Sequence, residues 1–135
     1  MSESTSRLRR YLEDDLGSCH DEDLETRLAE LETLAESADE TPLERDVTVL
    51  SALANETRYR IVRMLVAADD ELCVCEISPL MDVSQSAVSH ALSQLHEAGL
   101  VTRRKDGKWR KYEPTQQTIA IVAALDGTRG IDVQH

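Results

Sequence analysis

Apolar residues recur along most of this chain at helical spacing. Leu24, Leu28, Leu31 and Leu34 follow one another at intervals of four, three and three, which predicts an amphipathic helix over Asp21–Glu36. Its first turn, Asp21-Glu22-Asp23, places negative charge at the positive end of the helix dipole. A shorter amphipathic stretch, Leu8–Leu16, precedes it and stops at Gly17. After a turn around Asp39–Pro42, Pro42 suits the first turn of a helix over Leu43–Leu53, with Val47, Leu50 and Leu53 on one face. Asn55 breaks the pattern, and Glu56–Ala67 then points Ile61, Val62, Leu65 and Val66 inward.

Beyond this point the periodicity changes. The segment Glu71–Cys75 leads into a short helix, Glu76–Met81. Ser84 is a favourable N-cap for a helix over Gln85–Ala98, and Gly99 a favourable stop. Leu100–Arg104 and Lys108–Glu113 are short extended runs flanking Lys105-Asp106-Gly107, and Asp-Gly in that setting predicts a β-hairpin. An apolar-faced helix over Gln116–Leu125, ended by Asp126-Gly127, closes the pattern. The expected fold is mainly α with one β-hairpin: a winged helix-turn-helix over residues 42–126, an acidic helical extension over 1–41 and a frayed tail over 127–135 that carries His135.

A short helix, a turn and a longer helix with small polar residues at its start describe a helix-turn-helix. In the longer helix Val88, Ala91, Leu92 and Leu95 form the stripe that must face a core, which leaves Gln85, Ser86, Ser89 and His90 on the opposite stripe. Those side chains, with Ser84 at the cap, let a helix approach base edges closely, and the amide of Gln85 matches the donor–acceptor pair of adenine. The hairpin supplies Arg103, Arg104, Lys105, Lys108, Arg110 and Lys111 against a single acid, Asp106, as a wing for phosphate or the minor groove.

Net charge argues the other way until it is mapped. The chain carries −11, and duplex phosphate repels a negative protein. Residues 1–50 hold 15 Asp and Glu against 5 Arg, a balance of −10, while residues 51–135 hold 11 against 10, a balance of −1. The acid sits in the extension and the base is concentrated in the hairpin. The acidic, Lys-poor surface resembles that of proteins from salt-loving archaea, where a Debye length of about 3 Å in molar salt leaves only close contacts effective. Aromatic residues make up 3% and Phe is absent, so the core is built from Leu, Val, Ile and Ala. No apolar run approaches the roughly 20 residues that span a bilayer, and the first residues lack the apolar stretch of a secretory signal, so the chain is expected in the cytoplasm. Its three Cys are expected to be reduced there. No Gly-rich phosphate loop or activated nucleophile set points to an enzyme.

With these residues in place the chain resembles the ArsR/SmtB family of metal-responsive repressors. The resemblance is carried by Leu53-Ala-Asn-Glu-Thr-Arg-Tyr-Arg-Ile-Val, Glu71-Leu-Cys-Val-Cys-Glu, Ser84-Gln-Ser-Ala-Val-Ser-His, and Leu95 through Glu-Ala-Gly-Leu-Val-Thr-Arg-Arg to Trp109 and Tyr112. It covers about Leu43–Leu125 and leaves the extension outside. It implies a homodimeric winged helix that binds operator DNA and releases it on metal binding. Apolar stripes on Leu43–Leu53 and Ile119–Leu125, more than a small monomer buries, agree with a dimer.

In that family the Leu-Cys-Val-Cys box holds thiolates for arsenite, antimonite, cadmium, lead or zinc, which marks Cys73 and Cys75 as ligands. Soft ions need a third donor. Relatives place another Cys three residues on, or one in the N-terminal arm; this chain has Ser78 at the first position, so the remaining thiol, Cys19 of the extension, is the candidate, from the same or the other protomer, with His20 beside it as a fourth ligand for cadmium or zinc. The final helix lacks the His and acidic ligands of the family's second zinc site, and three thiolates without that site favour As(III). His90 is assigned to DNA and His96 to the surface or an interface. Three readings stay open: metal-controlled repression, a thiol-redox switch at the same cysteines, and a metal-buffering or interaction protein without an operator; two small buried hydrophobes are the structural alternative for the Cys pair.

Overall fold

A computed structural model describes residues 2–130; His135 lies outside them. The chain divides between Leu43 and Glu44 into two compact units.

The smaller unit is a pair of helices, α1 (Glu3–Leu16) and α2 (Asp21–Asp39). α1 starts five residues before the predicted Leu8, because the Ser2 hydroxyl caps it by accepting from the Thr5 N–H at 3.1 Å. It ends where Gly17 turns left-handed, at φ 85°, as the sequence predicts. At the start of α2 the His20 N–H donates to the Asp23 carboxylate at 2.9 Å. Leu12 and Leu24 are buried, Leu28 and Leu31 half-buried, and Leu34 is exposed.

The larger unit runs α3 (Leu43–Leu53), α4 (Glu56–Ala67), β1 (Leu72–Cys73), α5 (Val74–Ile77), a 3₁₀ turn (Ser78–Leu80), α6 (Gln85–Glu97), β2 (Val101–Asp106), β3 (Trp109–Pro114) and α7 (Gln116–Thr128). Ile61, Val62 and Leu65 of α4 and Val88, Ala91, Leu92 and Leu95 of α6 bury the stripes that their spacing defines, and Ile77, Leu100, Val101, Tyr112 and Val122 complete the core. This is a winged helix-turn-helix. Thr118, fully buried, donates to the Leu100 carbonyl at 2.5 Å and so fixes α7 to the strand side of the core.

Four details differ from the sequence pattern. Leu72–Cys73 is a strand, not a lead-in: it is the third strand of an antiparallel sheet ordered β1-β3-β2, with Leu72 opposite Tyr112 and Cys73 opposite Lys111. Two residues are too few to show a period of two, so only the long-range pairing reveals it. The helix after it begins at Val74 because Glu76 Oε1 accepts from the Cys73 N–H at 2.9 Å and makes Cys73 its cap. In the hairpin Asp106 pairs with Trp109, so the turn is Gly107-Lys108, with positive φ at Gly107 alone, as a II′ rather than a I′ turn requires. Finally, α7 continues through Asp126-Gly127 to Thr128. Asp126 is held there by Arg63 of α4 at 2.6 Å and by Arg129 at 2.7 Å, and these two guanidinium groups, Arg63 first, hold its carboxyl below the usual range.

Of the α3 stripe only Leu53 packs against the core; Val49, off that stripe, is the buried residue of α3, whereas Val47 and Leu50 are 58% and 62% exposed, as are Ile119 and Leu125 of α7 in part. Among the described residues no helix is long and apolar enough to cross a membrane.

Removing a fully buried side chain at the centre of the core tests this packing. Leu92→Ala is expected to lower unfolding free energy by about 2–5 kcal/mol, read from urea denaturation of the full chain.

Candidate DNA interface and thiol pair

α6 is placed by its ends and by one arginine. Ser84 Oγ accepts from the Ala87 N–H at 3.1 Å, which starts the helix, and Gly99, at φ 77°, turns the chain away from it. Arg58 of α4 donates to Gln94 Oε1 at 3.1 Å on α6 and to the carbonyls of Ala52 and Ser51, at 2.6 and 3.3 Å, at the end of α3. One side chain thus ties three helices together. The buried stripe of α6 leaves Ser84, Gln85, Ser86 and His90 exposed and Ser89 half-exposed.

The six cations of the wing are not equivalent. Directly opposed residues share a face of the hairpin, so Arg104 and Lys111 lie on one face, and Arg103, Lys105 and Arg110 on the other. On the first face both are occupied: Arg104 is held by Glu71 at 2.7 Å and Lys111 by Asp106 at 3.3 Å. Arg103, Lys105, Lys108 and Arg110 have no carboxylate partner among the described residues. Lys108 Nζ stands 5.0 Å from the ring centre of Trp109, a cation–π distance at the tip of the wing.

Cys73 and Cys75 are joined by a disulfide. The expectation that all three cysteines are free is therefore corrected at this pair: two sulfurs two residues apart on a strand-to-helix corner are near enough to bond. A disulfide sulfur has no thiolate charge and does not ligate a soft ion, so this form must take up two electrons and two protons before it offers two thiols. Cys19 remains a free thiol, half-buried at the link between α1 and α2, where its Sγ–H donates to the His20 carbonyl at 3.6 Å. His20 is exposed. Among the described residues no three His, Cys, Asp or Glu side chains gather as a metal site.

Cys73, Val74 and Cys75 form one wall of an open groove of about 270 Å³, Gln85 and Ser89 of α6 form another, and Lys108, Trp109 and Arg110 of the wing close it. The helix α6, the hairpin and the sulfurs meet in one place.

The arrangement is that of winged-helix DNA-binding regulators, and the comparisons name the family. Residues 55–103 match the description "Bacterial regulatory protein, arsR family". The chain is 64% identical over 126 residues, 93% of its own length and 98% of the relative's, to the "Putative arsenical resistance operon repressor ArsR" of Halobacterium salinarum. Its fold is similar to that of HlyU from Vibrio cholerae, at 35% identity and a TM-score of 0.59 over 67% of this chain and 97% of that one. It is also similar to a domain from Mycobacterium bovis described as the homodimeric winged helix-turn-helix DNA-binding domain of a possible ArsR-family regulator, at 26% identity and a TM-score of 0.57 over 69% and 88% of the two chains. The chain belongs to the ArsR/SmtB family and is a transcriptional regulator of that family. These are DNA-binding regulators, not a class of enzymes.

The oxidation state is directly countable. Alkylation under denaturing conditions, followed by mass spectrometry, is expected to add one label to this form, at Cys19, and three after reduction.

Proposed function

We propose that the chain is a cytoplasmic, homodimeric repressor that leaves its operator when a soft metal or metalloid, arsenite before cadmium, lead or zinc, binds the reduced Cys73 and Cys75. The observation that carries this reading is the shared groove: the sulfurs line the same space as Gln85 and Ser89 of α6 and as Lys108, Trp109 and Arg110 of the wing. Gln85, Ser86, Ser89 and His90 read base edges, the Ser84 cap sits at their start, and Arg103, Lys105, Lys108 and Arg110 contact phosphate. A ligand at the sulfurs moves the equilibrium only by its preference between the DNA-fitting state and the other, and here that preference acts on groups that touch both DNA and ligand.

Arsenite takes three thiolates, and Cys19 supplies the third, with His20 available to a fourth position for cadmium or zinc. The name of the H. salinarum relative supports an arsenical ligand. The apolar residues left uncovered on α3 and α7 support a dimer, as does the description of the M. bovis domain as homodimeric. A second reading is favoured by one observation, the Cys73–Cys75 disulfide. In it a dithiol reductant transfers two electrons to the disulfide, giving two protein thiols and an oxidised reductant, and the DNA-bound state follows the thiol state without any metal.

Titration separates these readings. Reduced full-length protein bound to the DNA it protects in footprinting receives arsenite or Cd(II). Affinity is expected to fall about 5–150-fold in wild type and not at all in Cys73→Ser/Cys75→Ser, with Cys19→Ser giving a weaker arsenite response. Equal release of wild type and the double variant overturns metal control at this pair. Release of wild type by a thiol oxidant alone, with no response to either ion, establishes the redox reading instead.

A further inference from the structure

The sheet carries a contact that the DNA interface does not use. Arg104 lies on β2 and Glu71 immediately precedes β1, and these strands are not neighbours, since β3 runs between them. The guanidinium therefore crosses β3, a span of about 9–10 Å between strand axes, to reach its partner. Nη2 donates to Glu71 Oε1 at 2.7 Å, and Nε donates to Oε1 and Oε2 at 3.1 and 3.2 Å. The Glu71 side chain is 18% exposed and that of Arg104 54%. Two guanidinium nitrogens on one carboxylate are the same fork that would grip a phosphate, and Arg104 cannot hold both at once.

The position of the pair gives it a consequence. Arg104 stands opposite Lys111, which stands opposite Cys73, so one row across the sheet joins the wing to the sulfur pair. Glu71 is two residues before Cys73, immediately ahead of β1. Backbone pairing between β1 and β3 is limited to two residues, whereas Glu71 and Arg104 fasten β1 directly to the strand beyond.

We propose that Glu71 and Arg104 are positioning residues that strap the wing to the sulfur-bearing strand, so that a change at Cys73 and Cys75 alters how the wing meets DNA, while Arg104 itself makes no phosphate contact. This rests on the reading that the sulfur pair is regulatory.

The test uses the reduced full chain, the DNA fragment protected in footprinting, and arsenite as probe, with wild type, Glu71→Gln, Arg104→Gln and Arg103→Gln. In wild type arsenite is expected to weaken binding within the about 5–150-fold range, and in Glu71→Gln and Arg104→Gln by less than about threefold, although both still bind wild-type amounts of arsenite by elemental analysis. Without arsenite, the slope of log affinity against log KCl is expected to be unchanged in Arg104→Gln and smaller by about 0.9 in Arg103→Gln. Variants that respond as strongly as a responsive wild type overturn the strap and leave the sulfur reading standing. A slope lost in Arg104→Gln as in Arg103→Gln overturns it too, because Arg104 is then a phosphate contact. A wild type that binds arsenite without releasing DNA overturns the sulfur reading and the strap with it.

Discussion

Two residues of strand, Leu72 and Cys73, are hydrogen-bonded to Tyr112 and Lys111 of the wing. Without that pairing the hairpin would hang from the core by its own base, and the sulfur segment would be a surface loop. With it, the wing, the sulfurs and the start of the helix-turn-helix become one mechanical piece. The pairing is anchored on both sides by burial: Tyr112 and Cys73 are among the core residues, and Ile77, fully buried, pins α5 directly after them. Cys73 therefore lies on a strand paired directly with β3 of the hairpin, one strand width away.

Charge is arranged around the same piece. An acidic protein can bind DNA only if its cations are local and free of internal partners, and the hairpin register divides them: one face is spent on Glu71 and Asp106, and the other keeps Arg103, Lys105 and Arg110 open. In strong salt the extension's carboxylates stop acting at a distance and only close contacts remain effective.

Much of this was legible in the sequence. The stripes Ile61, Val62, Leu65 and Val88, Ala91, Leu92, Leu95 are strong helical signals and became the core, and the Ser84 cap and Gly99 stop bound α6 almost to the residue. The wing was legible from Gly107 and its basic flanks. What local pattern could not give were the pairings across the chain. β1 is too short to show alternation. Glu71 and Arg104 are 33 residues apart, and neither is unusual where it stands. Arg58, which fixes α6 through Gln94, looks like any surface arginine of an amphipathic helix. Val47 and Leu50 stay outside the core, in keeping with a stripe larger than a small monomer buries; what their spacing does not show is that Val49 is the α3 residue that is fully buried. The C-x-C spacing of Cys73 and Cys75 admits both a thiol pair and a disulfide, and the compartment inferred from composition favours the thiols, so the disulfide enters the sequence reading only through the redox alternative.

Backbone hydrogen exchange on the reduced full chain, with and without arsenite, measures directly whether the sulfur pair and the wing move as one piece. If they do, arsenite is expected to change protection in the peptides containing Leu72–Cys73 and Lys111–Tyr112 together, with the tip at Gly107–Trp109 following. A change confined to the Cys73–Cys75 segment, with the β3 amides exchanging as before, would contradict it.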